Sequence, residues 1–417
     1  MLNKHDSKEE FKLNEFEVYH KMVMEFNQDR INIRNFHDLE IKKMGCCSSS
    51  ELTLENALLV PYDHHLFNSP NRIVHAAMTR GRCNPMTSIP NELLVQYYSR
   101  IAKNGCKLIL TECSGISPNN AFCTNGSCYT KEQLAGWKKV VDAVHKEGAK
   151  IFLQIFHGGR ANHPDNCFGN TPYAPSPIAI RGEDHTMEGK KPHVEPTEMT
   201  VEQIMEVCSQ FKTAAKNAID IGFDGVQLHN ANGYLLDQFT RSHTNRRTDN
   251  YGGSVENRLR FPLEVIDACI EAIGCQKLGI KLSPIGRYND MYDENPKETY
   301  AYFLKELNKR KLGFVEMMGA FGEDALHPVQ PNDQIADLNK TFRHLYKGIW
   351  IANSQYDFQK GNQVISQGLA DLVSFGTKFI SNPDLVLRFE KGLELNNEVN
   401  WGNCFYGGAE GYLDYPT

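Results

Sequence analysis

The sequence predicts an α/β fold, a closed (β/α)₈ barrel with a long capping insertion after the third strand and an amino-terminal extension. Three observations predict it. From about Asn71 onward, some eight short β-rich runs alternate with amphipathic helical runs, the pattern of parallel strands joined by crossover helices. Most of the β runs are apolar throughout, as strands covered on both faces must be. A doubly wound open sheet shares this alternation, but no G-x-G-x-x-G follows any strand, so the dinucleotide fingerprint of that fold is missing.

In chain order, residues 1–52 are rich in charge and lie outside the alternation. They predict a disordered or partly helical extension ahead of a barrel domain spanning 53–417. Within the extension, MGCCSSS (Met44 to Ser50) fits the myristoylation pattern if translation starts at Met44, with Cys46 and Cys47 open to palmitate as a second anchor. Only that start, acylated at Gly45, predicts a membrane as a partner.

The strand candidates then follow as RIVHAA (Arg72 to Ala77), KLILTE (Lys107 to Glu112), KIFLQI (Lys150 to Ile155), GVQLH (Gly225 to His229), LGIKLS (Leu278 to Ser283), GFVEMM (Gly313 to Met318), GIWIA (Gly348 to Ala352) and DLVSF (Asp371 to Phe375). Between them, Thr200 opens a helix that stops at Gly222. Ser254 caps another, whose apolar residues Val255, Leu259, Leu263, Ile266, Ile270 and Ile273 recur every three or four positions and turn one face inward. After the third strand, the segment from Phe156 to Met199 carries Pro164, Pro172, Pro175, Pro177, Pro192 and Pro196. It leaves the carboxyl end of a strand, the catalytic face of a barrel, so its length predicts a lid or pocket rim, with a surface excursion of no role as the plain alternative.

Composition narrows the function classes. The 417 residues are 41% hydrophobic and 23% charged, enough to bury a large core. A net charge of −6 leaves no basic footprint for a phosphate backbone, so nucleic acid is not an expected partner. The 12 cysteines form no C-x-x-C pair, which argues for reduced thiols in the cytoplasm and against a zinc ribbon. No apolar run reaches the ~20 residues that span a bilayer, and MLNKHDSKEE is too charged for a secretory signal.

The chemistry concentrates in LHNANGYLLDQFTRSHTNRRTDNYGGSVENRLRF, Leu228 to Phe261. His229, Asn232 and Tyr234 follow the fourth strand, at the mouth of a barrel. Two neutral donors three residues apart suit one carbonyl oxygen on which negative charge develops. A tyrosine two residues on, protonated at neutral pH with a reference pKa of ~10, suits proton delivery to carbon. Singly these residues carry little weight, since a histidine at a strand end is as often structural and an H-x-x-N spacing arises by chance.

Together with KFISNPDL (Lys378 to Leu385) and the closing GYLDYPT (Gly411 to Thr417), this stretch closely resembles the Old Yellow Enzyme family, which includes the 12-oxophytodienoate reductases. The resemblance runs from about Asn56 to Thr417 and implies a TIM barrel holding FMN at its carboxyl-terminal mouth. It makes His229 and Asn232 the carbonyl-binding pair and Tyr234 the proton donor. AAMTR matches the family's first flavin-contacting segment, so Ala77, Met78 and Thr79 are expected against the isoalloxazine, and Cys113 matches a small flavin-contacting position. Gln154 matches the glutamine at the flavin pyrimidine edge, whose alternating donors and acceptors an amide suits. Phe156 and Tyr406 match aromatic positions of the substrate pocket.

Two departures stand out. Lys281 in IKLSP occupies a position where the family commonly has arginine, keeping the charge beside flavin N1 and O2 but losing the bidentate fork. Near the eighth strand, Gly376-Thr377 followed by Lys378 replaces glycine-arginine, leaving the phosphate to backbone amides at a helix start, to Thr377 and to Lys378. Asn353 and Ser354 fill the other phosphate-loop positions, where the family more often has glycine and asparagine.

The reading is an FMN-dependent ene-reductase that carries hydride from NADPH or NADH, a transient donor, to the C=C bond of an enone or related electron-poor alkene. The partner is a small molecule, the cofactor FMN, the metal none, and the assembly a monomer or homodimer. Two other readings stay open on the residues alone. One is a metal-dependent hydrolase or a Schiff-base lyase using Lys281, although no H-x-H or H-E-x-x-H spacing occurs. The other is a flavin-binding or lipid-anchored module without turnover.

Overall fold

Each of the eight β-rich runs forms a strand in the computed structural model, which describes residues 55–118, 124–186, 188–320 and 335–417. The strands are β1 (Ile73–His75), β2 (Leu108–Leu110), β3 (Lys150–Phe156), β4 (Gly225–Asn230), β5 (Leu278–Leu282), β6 (Phe314–Met318), β7 (Ile349–Asn353) and β8 (Leu372–Phe375). All pair in parallel with their sequence neighbours, and β8 returns to β1, so the eight close into a barrel. Parallel pairing requires crossovers. These are built on α1 (Glu92–Lys103), α2 (Lys131–Lys146), α3 (Val201–Asp220), α4 (Arg260–Ile273), α5 (Pro296–Arg310), α6 (Leu338–Phe342) and α7 (Phe358–Ser366), with α8 (Leu385–Lys391) after the last strand. The extension expected over 1–52, with its MGCCSSS motif, lies outside the described residues.

The period of two along each strand sorts the core. Val226, Leu228, Ile280, Leu282, Val315 and Met317 join the large apolar cluster shared with the helices. The alternate positions Phe152, Phe314, Ile349, Ile351 and Leu372 join Val74, Leu108 and Leu110 in a second cluster inside the barrel. Phe67, from an antiparallel hairpin of Tyr62–His64 and Phe67–Ser69, packs into that inner cluster. Further along the same inward rows the residues become polar: Gln154, Gln227, Lys281, Glu316, Asn353 and Ser374 are all buried. The barrel therefore grades from an apolar interior to a polar layer below its carboxyl-terminal mouth.

Local signals place the helices. Thr200 and Gln203 form a reciprocal capping box at the start of α3, satisfying two backbone donors that have no helical partner. Gly222, at φ +106°, follows its end. The helix expected from Ser254 is broken. Ser254 caps a single turn, Val255–Arg258, and α4 begins anew at Arg260. Pro262 has no N–H to give the Arg258 carbonyl, so the ladder cannot run through. The apolar stripe survives the joint, with Leu259, Val265, Ile266 and Cys269 buried.

The insertion after β3 carries two short 3₁₀ turns and an antiparallel hairpin, Glu183–Thr186 with Gly189–Pro192. Buried Arg160 ties it to the loop after β5, donating to the carbonyls of Asn289 and Asp290 at 2.9 Å each. Arg181 adds an ion pair to Asp290. The segment thus spans loops at the carboxyl ends of the strands, as a pocket rim does.

Two imidazoles inside the domain give a pH signature. Burial pushes the His75 pKa down to about 4 and that of His157 to about 3. Both are held neutral when folded, whereas unfolded histidine titrates near ~6.5. Their contribution is complete above about 6.5 and drains as pH falls toward those folded values, because the unfolded chain then binds more protons. Urea unfolding is expected to show roughly 2 kcal/mol lost per imidazole between pH 6.5 and 5. A flat stability profile over that interval contradicts their neutral burial.

Candidate active site

Beyond β4 the chain makes a turn that few side chains tolerate. Asn232 sits at φ +56° and Gly233 at φ +73°. A Cβ on Gly233 would lie 2.6 Å from Asn289 Cβ, so glycine is required there. Three hydrogen bonds fix the turn. Asn232 N–H donates to Ser283 Oγ at 2.9 Å, Asn289 Nδ2 donates to the Asn232 carbonyl at 2.8 Å, and Gly233 N–H donates to Asp237 Oδ2 at 3.0 Å. Asp237 is itself buried, accepting from Arg241 Nε at 2.8 Å and the Tyr300 hydroxyl at 3.0 Å, while Arg241 also reaches Ser283 Oγ at 3.1 Å. A buried ion pair satisfied on all sides thus anchors a strained turn from below.

This turn gathers the predicted trio at the barrel mouth. The His229 and Tyr234 rings meet edge to face at 4.7 Å, and Phe156 from β3 approaches Tyr234 at 5.2 Å and His229 at 6.4 Å. His229 Nδ1 and Asn232 Oδ1 are buried without a hydrogen-bond partner. Buried polar atoms are mostly paired, so two orphans three positions apart at the end of a strand suit polar atoms of a ligand. Burial, reinforced by the Lys281 ammonium, holds the His229 pKa well below the usual histidine range, so the imidazole is neutral. Burial, with Tyr288, Cys113 and Tyr406 nearby, holds the Tyr234 phenol well above its ordinary value, so it keeps its proton.

The other predicted residues fall around the same mouth. Ala77, Met78 and Thr79 follow β1 and are partly exposed. Thr79 Oγ1 lies 3.8 Å from Cys113 Sγ, which accepts from Asn125 Nδ2 at 3.1 Å. Burial pushes the Cys113 thiol up to about 12, so it is a neutral contact and no nucleophile. Gln154 and Lys281 belong to the polar layer, where Gln154 bonds Gln227 at 2.7 Å and Lys281 stands 3.6 Å from Glu316. Asn353 ends β7 and donates to Ser374 Oγ at 2.6 Å. Ser354, at φ +88°, donates its hydroxyl to the Ala320 carbonyl at 2.9 Å. A Cβ on Gly376 would come 3.1 Å from Met78 Sδ, so the β8 end lies close against the segment after β1. The helix that Thr377 opens, Thr377–Ser381, is one turn long, so its axial dipole is far weaker than the helix start expected for the phosphate. Tyr406 is half-exposed, on a carboxyl-terminal strap whose carbonyls at Cys404 and Gly411 are gripped by Arg80 at 3.0 and 2.7 Å.

Sequence reasoning missed Gln227, Glu316, Ser283, Arg241 and Asn289. A signal was present for two of them, since Gln227 and Glu316 are polar residues at inward positions of otherwise apolar strands. Among the described residues, no group of three or more His, Cys, Asp or Glu is placed to hold a metal. A flat heteroaromatic ring with a polar edge fits what is there: a floor of amide, ammonium and carboxylate groups, small residues at the β1 and β8 ends, and two unpartnered polar atoms beside a phenol.

Comparison with known proteins places this geometry. The profile of the NADH:flavin oxidoreductase / NADH oxidase family matches residues 66–396. A probable flavin mononucleotide-dependent alkene reductase of Leishmania infantum is 39% identical over 353 residues, covering 83% of this chain and 93% of the relative. A putative 12-oxophytodienoate reductase 2 of Oryza sativa subsp. japonica is 38% identical over 370 residues, covering 86% and 93%. Among solved structures, the old yellow enzyme homologue from Zymomonas mobilis superposes with a TM-score of 0.81 at 33% identity, covering 87% of this chain and 99% of that one. The old yellow enzyme from Trypanosoma cruzi gives 0.80 at 33% identity, covering 87% and 98%.

Proposed function

The chain belongs to the NADH:flavin oxidoreductase / NADH oxidase family and is an FMN-dependent ene-reductase fed by NAD(P)H, and on that premise we propose which of its residues carry the reaction. FMN would be held by Ala77, Met78, Thr79 and Cys113, by Gln154 and Lys281 toward its polar edge, and by Asn353, Ser354, Gly376 and Thr377 toward its phosphate. When bound, FMN supplies the relay that takes hydride from the nicotinamide and gives it to the β-carbon of the acceptor.

The protein does the rest. His229, neutral, and Asn232 donate hydrogen bonds to the carbonyl oxygen of an α,β-unsaturated substrate, where negative charge grows as hydride arrives. Tyr234, which keeps its proton, delivers it to the α-carbon. Phe156 and Tyr406 bound the pocket and keep the alkene flat. The single observation that carries this reading is the buried, unpartnered His229 Nδ1 set beside the Tyr234 ring, with the Asn232 amide, its oxygen also unpartnered, three positions on and able to turn its Nδ2 to a ligand oxygen.

Anaerobic half-reactions test it. Addition of NADPH or NADH is expected to bleach the flavin absorbance, and a cyclic enone then to restore it with saturated product formed in equal amount. Bleaching without restoration leaves a flavin-binding module and removes the ene-reductase.

Setting is part of the same proposal. The nine described cysteines are all free, which suits a reducing compartment, and among the described residues no helix is long and apolar enough to cross a membrane. We therefore assign the protein to the cytoplasm, with membrane association only for a form beginning at Gly45. An intact-mass measurement of the native protein that finds Met1 retained or acetylated removes the acylated form.

A further inference from the structure

The hydrogen bonds in the polar layer of the barrel all point toward one carboxylate. From one side, Gln154 Nε2 donates to Gln227 Oε1 at 2.7 Å, and Gln227 Nε2 donates to Glu316 Oε2 at 2.7 Å. From the other, Asn353 Nδ2 donates to Ser374 Oγ at 2.6 Å, and Ser374 Oγ donates to Glu316 Oε1 at 2.7 Å. The Lys281 ammonium stands 3.6 Å from Oε1, and Glu316 is wholly buried. The strand register brings them level, with Gln227 opposite Gln154, Lys281 opposite Glu316, and Asn353 opposite Ser374.

The direction of this relay is not a free choice. An ionised carboxylate only accepts, so Gln227 must turn its nitrogen toward Glu316 and its oxygen toward Gln154. Gln154 must then turn its own nitrogen toward Gln227. That leaves Gln154 with a free oxygen and one remaining N–H. Likewise Ser374 must give its proton to Glu316 and receive from Asn353. A glutamine can be reversed end for end with almost no change of shape, so only its partners decide its orientation. Here the deciding partner lies two residues away, at the centre of the layer.

We propose that Glu316 is a positioning residue that fixes which amide atom Gln154 offers to the pyrimidine edge of FMN, and that tempers the charge Lys281 presents there. The proposal rests on the cofactor roles assigned above to Gln154 and Lys281. With Glu316 in place, the edge meets an oriented oxygen and N–H from Gln154, and an ammonium whose field is partly offset by a carboxylate. With a neutral, reversible amide at 316, Gln154 loses its enforced orientation and Lys281 loses its counter-charge. The two consequences are separable. Orientation governs how tightly the ring is held, whereas net charge beside it governs how readily it accepts electrons.

The test compares Glu316→Gln with Gln227→Leu in the FMN-loaded protein. FMN affinity is read by flavin fluorescence and midpoint potential by anaerobic dye titration. Glu316→Gln is expected to weaken FMN binding about tenfold and to raise the midpoint potential. Gln227→Leu interrupts the relay but keeps the carboxylate, so it is expected to weaken binding by a similar factor while leaving the potential close to wild type. An unchanged potential in Glu316→Gln, or equal shifts in both variants, overturns the role of Glu316. If Glu316→Gln fails to fold, unchanged FMN affinity in Gln227→Leu overturns the orienting relay on its own. A wild-type protein that binds no FMN defeats the cofactor assignments themselves, an outcome the fluorescence titration distinguishes before any variant is made.

Discussion

Replacing His229 by alanine is expected to slow enone reduction by roughly 10²–10³-fold, the usual loss when one donor to a developing oxyanion is removed. The donor works because it is pre-placed and dry. His229 is 5% exposed, and its Nδ1 finds no partner in the protein, so no internal hydrogen bond must break when the substrate oxygen arrives. Asn232→Ala is expected to cost a similar factor. Because both donors serve one oxygen, the double variant should lose less than the product of the two losses. The pH dependence follows from the depressed His229 pKa. The neutral imidazole persists as pH falls through 6.5 and gains a proton only well below it. The enone rate should therefore show no histidine limb between pH 6 and 8. A limb near 6.5 that vanishes in His229→Ala contradicts the neutral donor.

Tyr234→Phe is expected to lower the enone half-reaction by about 10²–10⁴-fold, the range for loss of a positioned general acid, while leaving flavin reduction by the nicotinamide within about twofold of wild type. The reasoning is one of timing. The phenol donates to carbon only after hydride has reached the alkene, whereas no proton is delivered to carbon when the nicotinamide gives up its hydride. The ring is kept by phenylalanine, so its edge contacts to His229 and Phe156 are preserved and only the proton is lost. Stopped-flow absorbance of the two half-reactions separates them. Equal losses in both remove Tyr234 as the acid.

Much of this was legible because it is local. Eight strands could be read from runs such as LILTE and GVQLH, since burial on both faces leaves a run of apolar residues whatever the rest of the chain does. The H-x-x-N-x-Y spacing could be read because its three residues lie within six positions, from the end of β4 into the turn that follows. The apolar period after Ser254 runs unbroken across Pro262 and so reads as one helix, whereas the missing N–H of that proline divides it at Leu259. What could not be read is what distant strands put together. Glu316 meets Gln227 across 89 residues and Ser374 across 58, so nothing near Glu316 in the chain announces that three polar residues converge on it. The same holds for Arg241. It looks like one more charge in a polar stretch, but it is buried and braces the Asn232 turn through Asp237 and Ser283.

The claim beneath all of this is that one substrate oxygen is held by His229 and Asn232 above a flavin lying on the polar layer. The most direct measurement is a crystal structure of the FMN-loaded protein with an enone or an oxygen-bearing analogue. The account predicts that oxygen within about 2.7–3.2 Å of a nitrogen of each residue, with the Tyr234 hydroxyl facing the α-carbon. A ligand oxygen bound elsewhere, with His229 and Asn232 turned from the ring, contradicts it.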